Sequence, residues 1–304
     1  MLGLCCQWME AVPGKNPKNA FGEKALQLGK FNTGSYTQSQ IKDVWIGNIR
    51  GIRKKLPDVK AAGIRMIRIG SSLLPLFDKI WHDEKYAFLR DETIDELKKL
   101  GNDLAGFRVT MHPGQFVVLN SESDSVVANS VADLAYHAFV MDTMGLESSH
   151  QNPINVHGGR KGYHDKLIAT ISALPTNIRN RLVLENCESS WSVKELYKIY
   201  EAVGTPVTFD SHHHTFNEDG LTGEEAANKA ASTWKCVPLQ HLSNTTPGME
   251  GGSFTERRQH SYLMHYIPNY QKAMYVAGKC DIEMECKGKN LGFLEFAKKE
   301  GIKI

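Results

Sequence analysis

Short apolar, β-branched runs recur along this chain and alternate with longer amphipathic stretches. The short runs are LGLCCQW (2–8), IRMIRIG (64–70), FRVTMH (107–112), INVHG (154–158), LVLEN (182–186), VTFDSH (207–212), VPLQHL (237–242) and CDIEMEC (280–286). Their nearly continuous apolar character is that of strands buried on both faces. Between them QIKDVWIGNIRGIRKKL, DETIDELKKLGNDL, VVANSVADLAYHAFVMDTMG and SVKELYKIYEAVG carry helical patterning. Ser192 with Glu195, and Thr222 with Glu225, have the spacing of capping boxes at two helix starts. Eight strand-and-helix alternations predict a (β/α)8 TIM barrel with its active site at the C-terminal ends of the strands, rather than an open doubly wound sheet. Residues 1–304 read as one domain, with a Gly- and Thr-rich loop from Ser243 to Phe254 and another loop from Asn32 to Gln40.

Composition supports that size of fold. The 304 residues, 41% hydrophobic and 23% charged, exceed the ~250 typical of one such barrel by modest insertions. No apolar run approaches the ~18 residues of a membrane span. The start MLGLCCQWME lacks a basic region before its apolar stretch, so the expectation is a cytoplasmic, nucleoid-associated or nuclear protein rather than a secreted one. Cys5, Cys6, Cys187, Cys236, Cys280 and Cys286 show no CxxC pairing and read as buried thiols. A net charge of +2 is too small to argue for nucleic acid by itself, so local clusters must carry that case.

Histidine changes the picture. Seven of the twelve His fall between Leu146 and His241, several at the ends of apolar runs. The third strand ends in His112, the fourth in His157, the fifth in Glu185, the sixth in Asp210 with His213, the seventh in His241 and the eighth in Glu285. Each strand thus delivers about one ligand to one rim, and only bound cations relieve the repulsion of carboxylates gathered there. Mixed nitrogen and oxygen donors without thiolate suit Mn²⁺, Zn²⁺ or Mg²⁺. His137 and His265 in helix-like segments, and His82 and His150 in loops, read as structural or solvated; which of His212, His213 and His214 binds metal is left open by spacing.

HPGQF (112–116), NVHGG (155–159), LEN (184–186), FDSHHH (209–214), HLS (241–243), RRQH (257–260) and DIEMECKGK (281–289), with IRIGSSLLP (67–75), resemble in order and spacing the motifs of the ultraviolet damage endonuclease family. The resemblance runs from about residue 1 to 290. It implies a metal-dependent barrel nuclease related to endonuclease IV, which nicks duplex DNA immediately 5′ to a photoproduct or other distorting lesion by metal-activated attack of water on the phosphodiester. Carried over by motif, His112, His157 and Glu185 hold one ion, with Glu185 bridging to a second held by Asp210, His241 and Glu285. His213 and His260 hold a third. Glu185, His241 and Glu285 are the catalytic candidates, and two or three ions are expected, Mn²⁺ foremost. Gln115 and Phe116 match the pair that wedges beside the lesion. Phosphate contacts are expected from Arg160, Lys161, Arg257, Arg258, Lys287 and Lys289. The partner implied is damaged double-stranded DNA, bound by a monomer.

One position departs from the family pattern: where typical members carry a lysine thought to be carboxylated, two residues before the strand-seven histidine, this chain has Leu239. The third ion is then loosely held, absent, or served by Glu250 or Glu256 from the loop that follows, while Leu239 packs the barrel. The rival readings are an abasic-site endonuclease of the endonuclease IV type, a metal-dependent sugar isomerase and a non-enzymatic metal-stabilised binding protein.

Overall fold

The computed structural model describes residues 1–304. Eight parallel strands close into a barrel: β1 (Leu2–Cys5), β2 (Met66–Ile69), β3 (Arg108–Met111), β4 (Ile154–His157), β5 (Leu182–Glu185), β6 (Val207–Asp210), β7 (Leu239–Leu242) and β8 (Asp281–Met284). Closure is made where β1 pairs with both β2 and β8. All eight lie inside the runs read from the pattern, trimmed by one to three residues at an end.

Side-chain alternation sorts each strand into two faces. Residues such as Leu4, Ile67, Val109, Val156, Leu184, Phe209 and Ile282 point outward and join the helices in one large core. The inward set is different. At the bottom of the barrel Met66, Val183 and Leu239 pack with Trp234 in a small apolar plug, and Arg108 pairs with Asp281 at 2.7 Å beside them. Leu239 therefore fills the barrel floor as an ordinary core residue.

The helices follow the pattern with local corrections. Both expected capping boxes form, Ser192 with Glu195 and Thr222 with Glu225. The first long helix spans Gln38–Ala61 and runs through Pro57, although the pattern ended it at Leu56. Buried Ile52, Leu56 and Val59 hold that face to the barrel, which offsets the backbone hydrogen bond that proline lacks. His265 lies in a loop instead of a helix. An antiparallel hairpin, Met9–Val12 with Lys15–Asn19, follows β1; its segment KNPKN carries no apolar alternation and gave no strand signal. Four of the six cysteines are buried, while Cys6 and Cys236 are half-buried; all six are free. No helix is long and apolar enough to cross a membrane.

Candidate metal centre at the barrel rim

The C-terminal ends of β3 to β8 bring the expected ligands together. Ligand atoms of His112, His157 and Glu185 lie within 4.8 Å of one another, as do those of Glu185, Asp210 and His213, and those of Asp210, His241 and Glu285. Glu185 is the hub. Its Oε2 lies 3.1 Å from His112 Nε2 and 3.1 Å from His241 Nδ1, and its Oε1 lies 3.2 Å from His213 Nδ1. His213 falls beside Glu185 and Asp210, while His260 Nδ1 donates to the Glu285 carbonyl at 2.8 Å. The rings of His213 and His260 stand 6.3 Å apart.

Local sequence explains how these side chains are aimed. His112 Nδ1 donates to the Pro113 carbonyl at 2.8 Å, which turns Nε2 toward Glu185. The Asn186 side chain exchanges two bonds with the Asp210 backbone, donating to its carbonyl at 3.0 Å and accepting from its amide at 2.8 Å. Asp210 in turn accepts from the His213 amide at 2.7 Å, capping the short helix Ser211–His214. Asn155 donates to Glu185 from β4. After His157, Gly158 leaves room for Trp191: a Cβ there would meet the indole at 2.5 Å. His212 bonds the Arg258 carbonyl at 3.3 Å and His214 the Leu221 carbonyl at 3.1 Å, so both serve the loops.

Charge is concentrated here. Burial opposes ionisation of Glu185 and Glu285, yet His241 and His157 hold the first carboxyl well below its ordinary range, and Arg68 and His241 hold the second. Burial likewise opposes a charged His241, but Glu185 and Glu285 push it up to about 10. Glu185, Asp210, Glu283 and Glu285 thus share one buried region with the single guanidinium of Arg68. Three buried atoms facing that region, His157 Nδ1, Asp210 Oδ2 and His241 Nδ1, have no hydrogen-bond partner. Unpaired imidazole nitrogens and carboxylate oxygens of this kind fit divalent cations.

Several neighbours of the cluster carried no signal that sequence reading used. Arg68, Thr110, Asn155 and Glu283 are polar residues inside strand runs, and alternation with the apolar residues beside them is the feature that marks them as inward. Glu188, in the loop after β5, lies 3.9 Å from His213 and pairs with Arg258 at 2.5 Å. The loop carboxylates expected to help are elsewhere. Glu250 accepts from the Gly248 amide, and Glu256 closes a capping box with Ser253. Cys187 accepts from the amides of Ser190 and Trp191, and Cys286 donates to the Lys289 carbonyl, so neither joins the rim ligands.

The remaining candidates surround the rim. Gln115 and Phe116 are exposed, Phe116 at 83% of its surface. A cleft of about 450 Å³ beside them is lined by Gln115, Val117, His157, Arg160, Glu188 and Ser190. Arg160 pairs with Glu122 at 2.6 Å, and Arg257 covers the Phe216 ring at 5.5 Å. Lys161 and Lys287 are exposed, and Lys289 is half-buried.

A closed parallel barrel whose rim gathers histidines and carboxylates defines a TIM-barrel enzyme. Residues 1–303 match the model of the family described as UV-endonuclease UvdE, and the chain belongs to that family as an endonuclease. The UV DNA damage endonuclease of Deinococcus radiodurans is 37% identical over 299 residues, which cover 95% of this chain and 92% of that one. The crystal structure of SacUVDE superposes with a TM-score of 0.79 at 27% identity, covering 100% of this chain and 99% of that one. Endonuclease IV from Thermus thermophilus, with a TM-score of 0.58 and 18% identity over 82% of this chain and 93% of that one, shares the fold.

Proposed function

We propose that the protein nicks duplex DNA immediately 5′ to ultraviolet photoproducts and other distorting lesions, using two or three divalent ions, Mn²⁺ foremost, at the barrel rim. The observation that carries this reading is the position of Glu185, a buried carboxylate approached by imidazoles from three other segments at 3.1 to 3.2 Å. His112, His157 and Glu185 would hold one ion; Asp210, His241 and Glu285, with Glu185 shared, would hold a second; His213 and His260 are the donors for a third. Such ions supply Lewis acidity, activating water and offsetting charge that develops on the phosphate.

The chain's own residues provide the geometry. Asn155, Asn186 and the Pro113 carbonyl hold Glu185, Asp210 and His112 in place, so the ligand set is fixed before substrate arrives. Phe116 and Gln115 project from the loop that starts at His112, where an aromatic ring can fill the gap left by an unstacked lesion. Arg160, Lys161, Arg257, Arg258, Lys287 and Lys289 ring the same end and would meet phosphates.

The test is nicking of an end-labelled, irradiated duplex by wild-type protein and Glu185→Gln, with and without chelator. The expected result is a single nick 5′ to the lesion, abolished by chelator, restored by added Mn²⁺ and absent in the variant. Nicking that survives complete removal of metal overturns the metal reading; cleavage confined to abasic sites selects the endonuclease IV alternative.

A further inference from the structure

His241 presents its two ring nitrogens to different carboxylates. Nδ1 lies 3.1 Å from Glu185 Oε2 and 3.4 Å from Glu285 Oε1, and has no hydrogen-bond partner. Nε2 lies 3.2 Å from Glu283 Oε2. Glu283 and His241 are register partners across the β7–β8 ladder, so backbone pairing itself sets this approach. On the opposite side of Glu283 the register partner is Gly3, where a Cβ would come within 3.2 Å of Glu283 Cγ and 2.5 Å of Met66 Cε. The missing side chain on β1 is what admits a glutamate inside the barrel at this level.

Glu283 is fully buried and fixed at both oxygens. Arg68 Nε donates to Oε2 at 2.6 Å, and Thr110 Oγ1 donates to Oε1. Arg68 Nη2 also stands 3.0 Å from His241 Nε2. Both are donors when Nε2 carries the imidazole proton, and Glu283 Oε2 accepts from both. Without that oxygen, Arg68 would donate to Nε2 instead, and the ring proton would shift to Nδ1, on the side of the ligand cluster. Leu239, one inward position below His241 on β7, is apolar and offers Nε2 no competing partner.

We infer that Glu283 is a positioning residue that accepts the Nε2 proton of His241 and thereby commits Nδ1 as the metal-facing nitrogen. This rests on the metal reading above. A carboxylate behind a ligating imidazole fixes its tautomer and orientation, and loss of such a partner ordinarily weakens metal binding about 10- to 100-fold. Glu283 contributes no donor to the ion itself.

Two measurements test it. Mn²⁺ titration of chelator-stripped wild type, Glu283→Leu and Glu283→Gln, followed by the electron paramagnetic resonance of free Mn²⁺, is expected to show one site weakened about 10- to 100-fold in Glu283→Leu. Glu283→Gln keeps an acceptor oxygen and should recover part of that loss. A lowered melting temperature with unchanged Mn²⁺ affinity in both variants means that Glu283 only packs, and overturns the inference. Independently of any variant, long-range ¹H–¹⁵N spectra of the zinc-loaded wild type should place the His241 proton on Nε2; a proton on Nδ1 overturns it. Wild-type protein that takes up no Mn²⁺ overturns the metal reading together with this one, whereas normal uptake with unaltered variants removes this one alone.

Discussion

Ser71 Oγ donates to the backbone carbonyl of His112 at 2.7 Å, tying the end of β2 to the residue that opens the Gln115–Phe116 loop. The same hydroxyl lies 3.0 Å from Nε2 of buried His137, whose Nδ1 bonds the Asp133 carbonyl at 2.7 Å. Ser71→Ala should therefore leave the His112 carbonyl without this donor, costing about 1–2 kcal/mol of stability. Because His112 is a candidate ligand, its nicking rate on irradiated duplex should fall as well. Denaturant unfolding and a nicking assay read the two effects, and a variant unchanged in both would show that the tie holds nothing.

Phe116 is almost fully exposed, so its removal opens no cavity. If it fills the place of an unstacked lesion, Phe116→Ala should lose about 1–3 kcal/mol of stacking, or roughly 5- to 150-fold in affinity, on damaged duplex alone. Undamaged DNA, held through phosphates, should bind both proteins alike. Titration of matched duplexes with and without one thymine dimer decides the point: equal losses on both would place Phe116 outside lesion recognition.

Arg258 is paired with Glu188 and Arg257 lies over Phe216, so phosphates proposed to meet them would have to draw both away from protein partners. Removing the two together should weaken damaged and undamaged duplex similarly and flatten the slope of log K against log salt by up to ~2 units. Glu188→Gln should act oppositely, freeing Arg258 and strengthening binding at low salt. An unaltered salt slope in the double variant excludes these arginines from the phosphate contacts.

Far from the rim, Glu96 joins the helix Arg90–Asp103 to the helix Gln38–Ala61. Only 3% of it is exposed, and it accepts from Arg53 at 2.7 Å, Lys99 at 3.0 Å and Arg50 at 3.1 Å. Burial raises its pKa, but the three cations together bring it down to about 2. A carboxyl depressed in the folded state stabilises at pH values above its unfolded pKa of ~4.3, and that stability drains away as pH falls toward the folded value. Wild type should lose stability through this group between about pH 4.5 and 2. Glu96→Gln should be about 1–3 kcal/mol less stable at pH 7 and lack that part of the acid limb. Urea unfolding across pH is the measurement; parallel acid limbs would show that the ion cluster contributes no net stability.

The barrel and its rim were legible because both are written locally. A parallel strand buried on two faces must be apolar throughout, and a ligand at its C-terminal end must interrupt that run with a histidine or carboxylate, as His157, Glu185 and Asp210 do. Capping at Ser192 and Thr222 is likewise a matter of residues three apart. Tertiary structure alone decided which residues share the interior. Arg68, Thr110 and Glu283 come from three strands separated by up to 215 residues, and each is a polar residue inside a strand-like run. Alternation tells that such a residue faces one side of its strand, but only closure of the barrel determines which side is inside and which neighbours stand across it. The same reason moved the loop carboxylate near the site from Glu250 or Glu256 to Glu188. Loops after different strands meet only when the barrel brings their roots together, so Arg258 finds Glu188 across 70 residues of chain.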